Sequence, residues 1–120
     1  MKHALVLLLA LALPARSYAD TNADQAEKAV VMLEQVATLV DANKDYCDVM
    51  GDKLDAWASA NAAELKRLKE AGKQLSAEQK QAFSEKYQDR MRVLAVKMGG
   101  ARKCSGNARV TGAMKKITAH

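Results

Sequence analysis

Residues 47–104 read CDVMGDKLDAWASANAAELKRLKEAGKQLSAEQKQAFSEKYQDRMRVLAVKMGGARKC, beginning and ending on the chain's two cysteines. Cys47, Met50, Leu54, Trp57, Asn61, Leu65 and Leu68 recur at alternating steps of three and four. That spacing lays one apolar stripe along a helix, with Asn61 as its single polar member. A second stripe runs through Phe83, Tyr87, Met91, Leu94, Met98 and Ala101. The intervening Ala71-Gly72-Lys73-Gln74-Leu75-Ser76 has no such period. Gly72 suits a helix end, and Ser76 with Gln79 three residues on forms a capping box that starts the next helix. Two helices joined by so short a turn run antiparallel.

Counted outward from a turn centred at about residue 74, position 47 faces roughly position 101, and Cys104 lies about 4.5 Å further at the helical rise. A bridge needs Cα atoms about 4.4–6.8 Å apart, so the cysteines are placed to close the open end of the hairpin. The same pairing predicts Trp57 near Met91 and Leu94, and Leu65 near Phe83 and Tyr87. Closing a loop of about 58 residues stabilises by about 4 kcal/mol on the loop-entropy model. The expected fold is all-α: a small helical bundle built on a long antiparallel helical hairpin closed by one disulfide, Cys47–Cys104. Two boundaries stay open. Asn61-Ala62-Ala63-Glu64 reads as a second capping box that would split the outgoing helix, and the returning helix either stops at Gly99-Gly100 or runs on to Ser105-Gly106, the bridge favouring the longer version.

The N-terminus reads as an export signal. Lys2 and His3 precede an apolar run from Ala4 to Leu13, Pro14 breaks it, and Ser17-Tyr18-Ala19 offers small residues at the −3 and −1 positions. This pattern predicts a signal peptide over 1–19, cleaved after Ala19. Residues 20–120 are then a single helical domain, delivered to the periplasm, with an extracellular destination as the alternative. In an oxidising compartment a pair of cysteines is structural. The mature chain is expected to open with a helix from about Asn22 to Ala42, capped by Asp20 or Thr21, with Ala26, Val30, Leu33, Ala37 and Val40 on one stripe. A last helix is expected from about Ala108 to Thr118, capped by Asn107, with Val110, Ala113, Met114 and Ile117 on one side.

Charge divides the chain. Residues 20–64 hold ten acids and three bases; residues 65–120 hold four acids and fourteen bases. Asp41, Asp45, Asp48, Asp52 and Asp55 share one helical phase opposite the apolar stripe, which reads as a solvated acidic face. After Asp89 come eight bases and no acid: Arg90, Arg92, Lys97, Arg102, Lys103, Arg109, Lys115 and Lys116. Either the acidic front half packs beside the basic back half, or the basic face meets an anionic partner. On the second reading the partner-binding residues are Arg90, Arg92, Lys97, Met98, Arg102, Lys103, Lys115 and Lys116, and an apolar groove is flanked by Arg90, Arg92, Lys97 and Met98. Nucleic acid is not the expected partner, since no aromatic lies among those bases to stack on nucleobases.

Leu75-Ser76-Ala77-Glu78-Gln79, followed by a charged, Met-containing helix, resembles the L-T-x-x-Q motif of Spy/CpxP-type periplasmic proteins, with Ser76 in the threonine position. The resemblance implies a small exported all-helical protein with an ATP-independent chaperone or envelope-stress role, a concave apolar and basic surface, and a homodimeric state.

The residues offer little chemistry. Beyond position 19 the only histidine is His120, which removes histidine-based acid–base and metal sites. No C-x-x-C-H, C-x-x-C, G-x-S-x-G or phosphate loop is present. Asp41, Asn43, Asp45 and Asp52 match a calcium loop in part, but Tyr46 stands where that loop's sharp turn needs glycine. Met32, Met50, Met91, Met98 and Met114 read as core filling, not as a copper site. The expectation is a protein without enzymatic activity or cofactor, with no transmembrane segment in the mature chain. Its partner is a protein client or, on a second reading, an anionic envelope surface; a small inhibitor or immunity protein is the third class.

Overall fold

Apolar stripes of this length bury themselves only against other helices, and the chain accordingly folds as six α-helices and one 3-10 segment. They are α1 (Lys2–Ala42), α2 (Cys47–Ala60), α3 (Ala62–Lys73), α4 (Ala77–Lys86), α5 (Gln88–Met98), the 3-10 segment (Gly99–Cys104) and α6 (Ala108–Thr118). The structure is a computed structural model that describes the backbone of residues 2–119 and the side chains of residues 22–119. No strand occurs among the described residues. The signal sequence expected over 1–19 lies outside the described side chains.

The bundle and its bridge form as the spacing predicts. Cys47 and Cys104 are disulfide-bonded, with Cα atoms 5.3 Å apart. The turn is where the punctuation put it. Ser76 Oγ accepts the Gln79 backbone N–H at 3.1 Å, and Gln79 Oε1 accepts the Ser76 backbone N–H at 2.9 Å, so two donors at the start of α4 are satisfied reciprocally. Asn107 Oδ1 likewise accepts the N–H groups of Arg109 and Val110 and opens α6 at the expected residue.

The side-chain pairing across the hairpin differs from the expectation. The outgoing arm, α2–α3, and the returning arm, α4–α5, make little direct contact; α1 touches α2, α3, α5 and the 3-10 segment. Trp57 does not meet Met91 and Leu94. Its Nε1 donates to Gln35 Oε1 on α1 at 3.0 Å. Leu65 lies beside Met32, Leu33 and Val36 of α1 rather than beside Phe83 and Tyr87. The physical reason is that α1 carries its own apolar stripe, with Val30, Val36, Ala37 and Val40 buried. Four stripes compete for burial, and two-helix counting assigns the faces of only two of them.

The core lies at the closed end. Val36 and Val40 of α1, Met50 and Leu54 of α2, Cys104, and Val110 and Ala113 of α6 form one buried cluster. Fully burying a side chain such as Met50 or Leu54 is worth about 1.5–3 kcal/mol each. The α2–α6 crossing is close because of Gly51. A Cβ there would stand 2.5 Å from Arg109 Cβ and 2.8 Å from the Val110 backbone nitrogen, so only glycine lets the helices meet at this point. Around the crossing runs a rim of opposite charges. Asp45 pairs with Lys103 at 3.4 Å, Asp52 with Arg109 at 3.2 Å and Asp55 with Lys116, while Asp48 accepts Asn107 Nδ2 at 2.8 Å. The acidic row of α2 is therefore not simply solvated; it faces the bases at the chain's end.

Three boundaries add detail. α2 and α3 are separated by one residue, Asn61, whose Nδ2 donates to the Trp57 carbonyl at 2.8 Å. Asn61 thus finishes α2 and does not cap α3 with its side chain. The double glycine ends α5, and the chain continues as a tighter 3-10 segment that carries Cys104 to its partner. The returning helix is also interrupted at Tyr87, which no periodicity marks. At the front, α1 is continuous through positions 20 and 21, where a helix start is expected after cleavage. Beside the α1 stripe, Met32 is buried by the chain itself and Val31 is exposed.

Candidate functional site

The returning arm meets α1 mainly through α5, with Tyr87 and Arg90 at the seam. Tyr87 sits between α4 and α5 with φ −100° and ψ 8°. Its N–H still donates to Phe83 O at 3.0 Å and its carbonyl accepts Met91 N–H at 2.9 Å, so Tyr87 itself stays bonded to both helices at the break. Arg90, one turn on, reaches across to α1. Its Nη1 donates to both carboxylate oxygens of Glu27 at 2.8 Å, and its Nη2 and Nε donate to Glu34. Glu27 and Glu34 are two helical turns apart, which places them on one face of α1. The Arg90 hydrogen bonds hold both carboxyls below the ordinary glutamate value of 4.5, against a smaller opposing effect of desolvation. The Arg90 guanidinium is raised in turn by the same two partners.

Tyr87 packs beneath this clamp and is 4% exposed. The Lys86 Nζ and Arg90 Cζ lie 5.3 and 5.5 Å from its ring centre, at cation–π distance. Its buried hydroxyl makes no well-formed hydrogen bond, but it is directed at Glu27 and helps hold that carboxyl low.

On the other side of this seam α1 and α4–α5 do not close. Between them runs an open apolar groove of about 710 Å³, within the range of ligand-binding clefts. Leu33, Phe83 and Met91 supply its larger apolar surfaces, Ala26 and Ala29 its floor, and Leu75 its end near the turn. Leu33 and Met91 are 40% and 39% exposed, so these stripe positions face the groove instead of a filled core. Lys80 and Arg92 are the charged lining residues, and Ser84, Tyr87 and Gln88 the neutral polar ones; among the described residues no carboxylate lines the groove. α4 and α5 contain no buried residue of their own.

The eight residues expected to bind a partner are distributed over several places. Arg92 is at the groove, with Asp89 at 3.8 Å as a loose neighbour. Arg90 is engaged by Glu27 and Glu34, and Lys97 lies close enough to favour the Glu34 carboxylate. Met98 packs against the core cluster. Lys103 and Lys116 are paired with Asp45 and Asp55. Arg102 and Lys115 are exposed, and neither has a carboxylate within 4.0 Å among the described residues. Of the four residues expected to flank a groove, the structure brings Arg92 alone to it. Spacing did not single out Lys80, and it placed Leu33 and Met91 in stripes without telling a core position from a groove position.

The arrangement is suited to binding. Among the described residues no three His, Cys, Asp or Glu side chains converge as metal ligands, and the partial calcium template is taken apart by other bonds. Asn43 is buried with its Nδ2 on Leu39 O, Asp45 holds Lys103, and Asp52 holds Arg109. No helix among the described residues is long and apolar enough to cross a membrane. Comparison with protein-family models, with curated proteins and with solved structures finds no match to this chain.

Proposed function

We propose that this chain is an exported, non-enzymatic helical protein of the periplasm that holds apolar segments of other proteins in the groove between α1 and α4–α5, in a chaperone-like role. The observation that carries this is the groove itself: an open apolar channel whose lining offers aliphatic, aromatic and thioether contacts without a catalytic group. A flexible methionine and a bent helix suit a surface that adapts to varied partners. Few polar groups line it, so the segment it takes satisfies its own backbone, as an amphipathic helix does. The resemblance to Spy/CpxP-type proteins supports the same role, and its motif residues Ser76 and Gln79 start the helix that forms one wall of the groove. The intramolecular disulfide and the leader-like residues 1–19 support an oxidising destination.

Docking on an anionic envelope surface has less support, because Lys103, Arg109 and Lys116 already face Asp45, Asp52 and Asp55. The test is dilution of a chemically denatured client into buffer with near-stoichiometric chain and no ATP, followed by light scattering. Suppressed aggregation, lost in a Leu33→Asp/Met91→Asp double variant, is expected. Unchanged aggregation of several unrelated clients contradicts the proposal.

A further inference from the structure

We propose that the same groove binds a single fatty acid, its alkyl chain lying on Leu33, Phe83 and Met91 and its carboxylate held at one end by Lys80 or at the other by Arg92. This stands on the groove's geometry and does not require the chaperone-like reading.

An extended peptide brings a row of amide groups, each costly to bury without a partner. Ser84 and Gln88 are the neutral side chains that could pair with them. An alkyl chain brings none, and gains from every methylene removed from water. The channel is open along its length and bounded by helices on both sides, which accommodates a flexible chain without a deep pocket.

Charge then selects the head group. The two ionic residues on the groove are both cations, and among the described residues no carboxylate lines it. Arg92 is 70% exposed, and its carboxylate neighbour among the described residues, Asp89, is itself 97% exposed at 3.8 Å, so the guanidinium is not committed. This contrasts with Arg90, two residues earlier, which is engaged by two glutamates of α1. Lys80 is exposed on α4, with no carboxylate within 4.0 Å among the described residues. At the helical rise Lys80 and Arg92 stand about 18 Å apart along the arm. A carboxylate can be taken at either end, with the chain running toward the other. An amphiphile of this charge meets complementary potential, and one bearing an ammonium meets like charge.

The test is isothermal titration of the purified chain with laurate and, separately, with dodecyltrimethylammonium, both below their micelle concentrations. Laurate is expected to bind with one site per chain, and the cationic amphiphile at least about tenfold more weakly, as for the loss of one charge-assisted hydrogen bond. A Lys80→Glu/Arg92→Glu double variant is expected to invert that preference. Both positions are exposed, and retention of the far-ultraviolet spectrum and the melting temperature shows that the variant is folded. Equal affinity for the two amphiphiles, or laurate affinity unmoved by the double variant, overturns the assignment. So does absence of laurate binding with adsorption to phosphatidylglycerol vesicles in its place. Laurate binding by a chain that fails to suppress aggregation sinks only the chaperone-like reading; suppression without laurate binding sinks only this one.

Discussion

The two ends of this molecule solve the same problem differently. At the closed end, α2 crosses α6 at Gly51, the disulfide ties α2 to the 3-10 segment, and the seven residues of the cluster are at most 3% exposed. Along the open seam, α4 and α5 bury no residue of their own, and Tyr87 and the Arg90 clamp are the chief attachments to α1. Both ends use helices of similar length, with α4 and α5 the more polar. What also differs is whether a facing stripe completes the burial. α6 supplies one for α2, whereas α1 covers only part of the returning arm. The apolar surface left uncovered is the groove, so the site arises from incomplete burial and not from any dedicated motif.

Breaking the closed end should produce the largest effects. Cys47→Ser/Cys104→Ser is expected to cost about 2–5 kcal/mol in denaturant unfolding, since removing a native bridge from a small domain costs that much. Leu54→Ala, at a fully buried position, is expected to cost about 2–5 kcal/mol through lost transfer energy and a residual cavity. Phe83→Ala on the half-buried groove wall should cost clearly less. Equal costs at Leu54 and Phe83 would erase the distinction between the two ends.

Glycine sharpens the comparison on a smaller scale. Gly51→Ala drives a methyl into the α6 backbone and is expected to destabilise by about 1–3 kcal/mol, as overpacking does. Gly72→Ala meets nothing within 4 Å and needs no unusual backbone angle. It is expected to be neutral or to stabilise by up to about 1 kcal/mol, because alanine is the better helix former. Thermal melts of the two variants check both signs.

Acid should act on the open seam first. Glu27 and Glu34 are held below the ordinary 4.5 by Arg90, so their contribution is fully present above that value. It is lost as pH falls through their lowered folded values. Once the intrinsic slowing of exchange in acid is divided out, lower protection of α5 is expected as the pH drops below 4.5, and Arg90→Gln should show that lower protection at neutral pH with little further change on acidification. These groups are exposed, so the effect is the smallest of the set.

Much of this was legible in the sequence because the signals were local. The Ser76–Gln79 box, the Asn107 cap, the bounds of α6 and the Cys47–Cys104 bridge each follow from a few residues at fixed spacing. The charge division also had a structural meaning, visible in Asp45–Lys103, Asp52–Arg109 and Asp55–Lys116. The pairing of faces was not legible. A stripe says that Trp57 must be covered but not that Gln35 and α1 do the covering. Gly51 carried an unread signal, since a glycine inside a helix costs about 1 kcal/mol and marks a close approach. Tyr87 left none, because it is itself a member of the apolar stripe and carries no glycine, proline or cap residue beside it. Leu33 and Met91 were found as apolar positions but not as groove walls, since a core and a groove ask the same residue types of a helix.

Native-state hydrogen exchange, resolved by peptide across the whole chain, tests the contrast between the two ends most directly. The account predicts protection near the global unfolding free energy in α2 and α6, and openings well below it in α4, graded across Tyr87 into α5. Uniform protection of α4 and α2 would contradict it, because the returning arm would then be buried as deeply as the closed end and no groove would stand open beside α1.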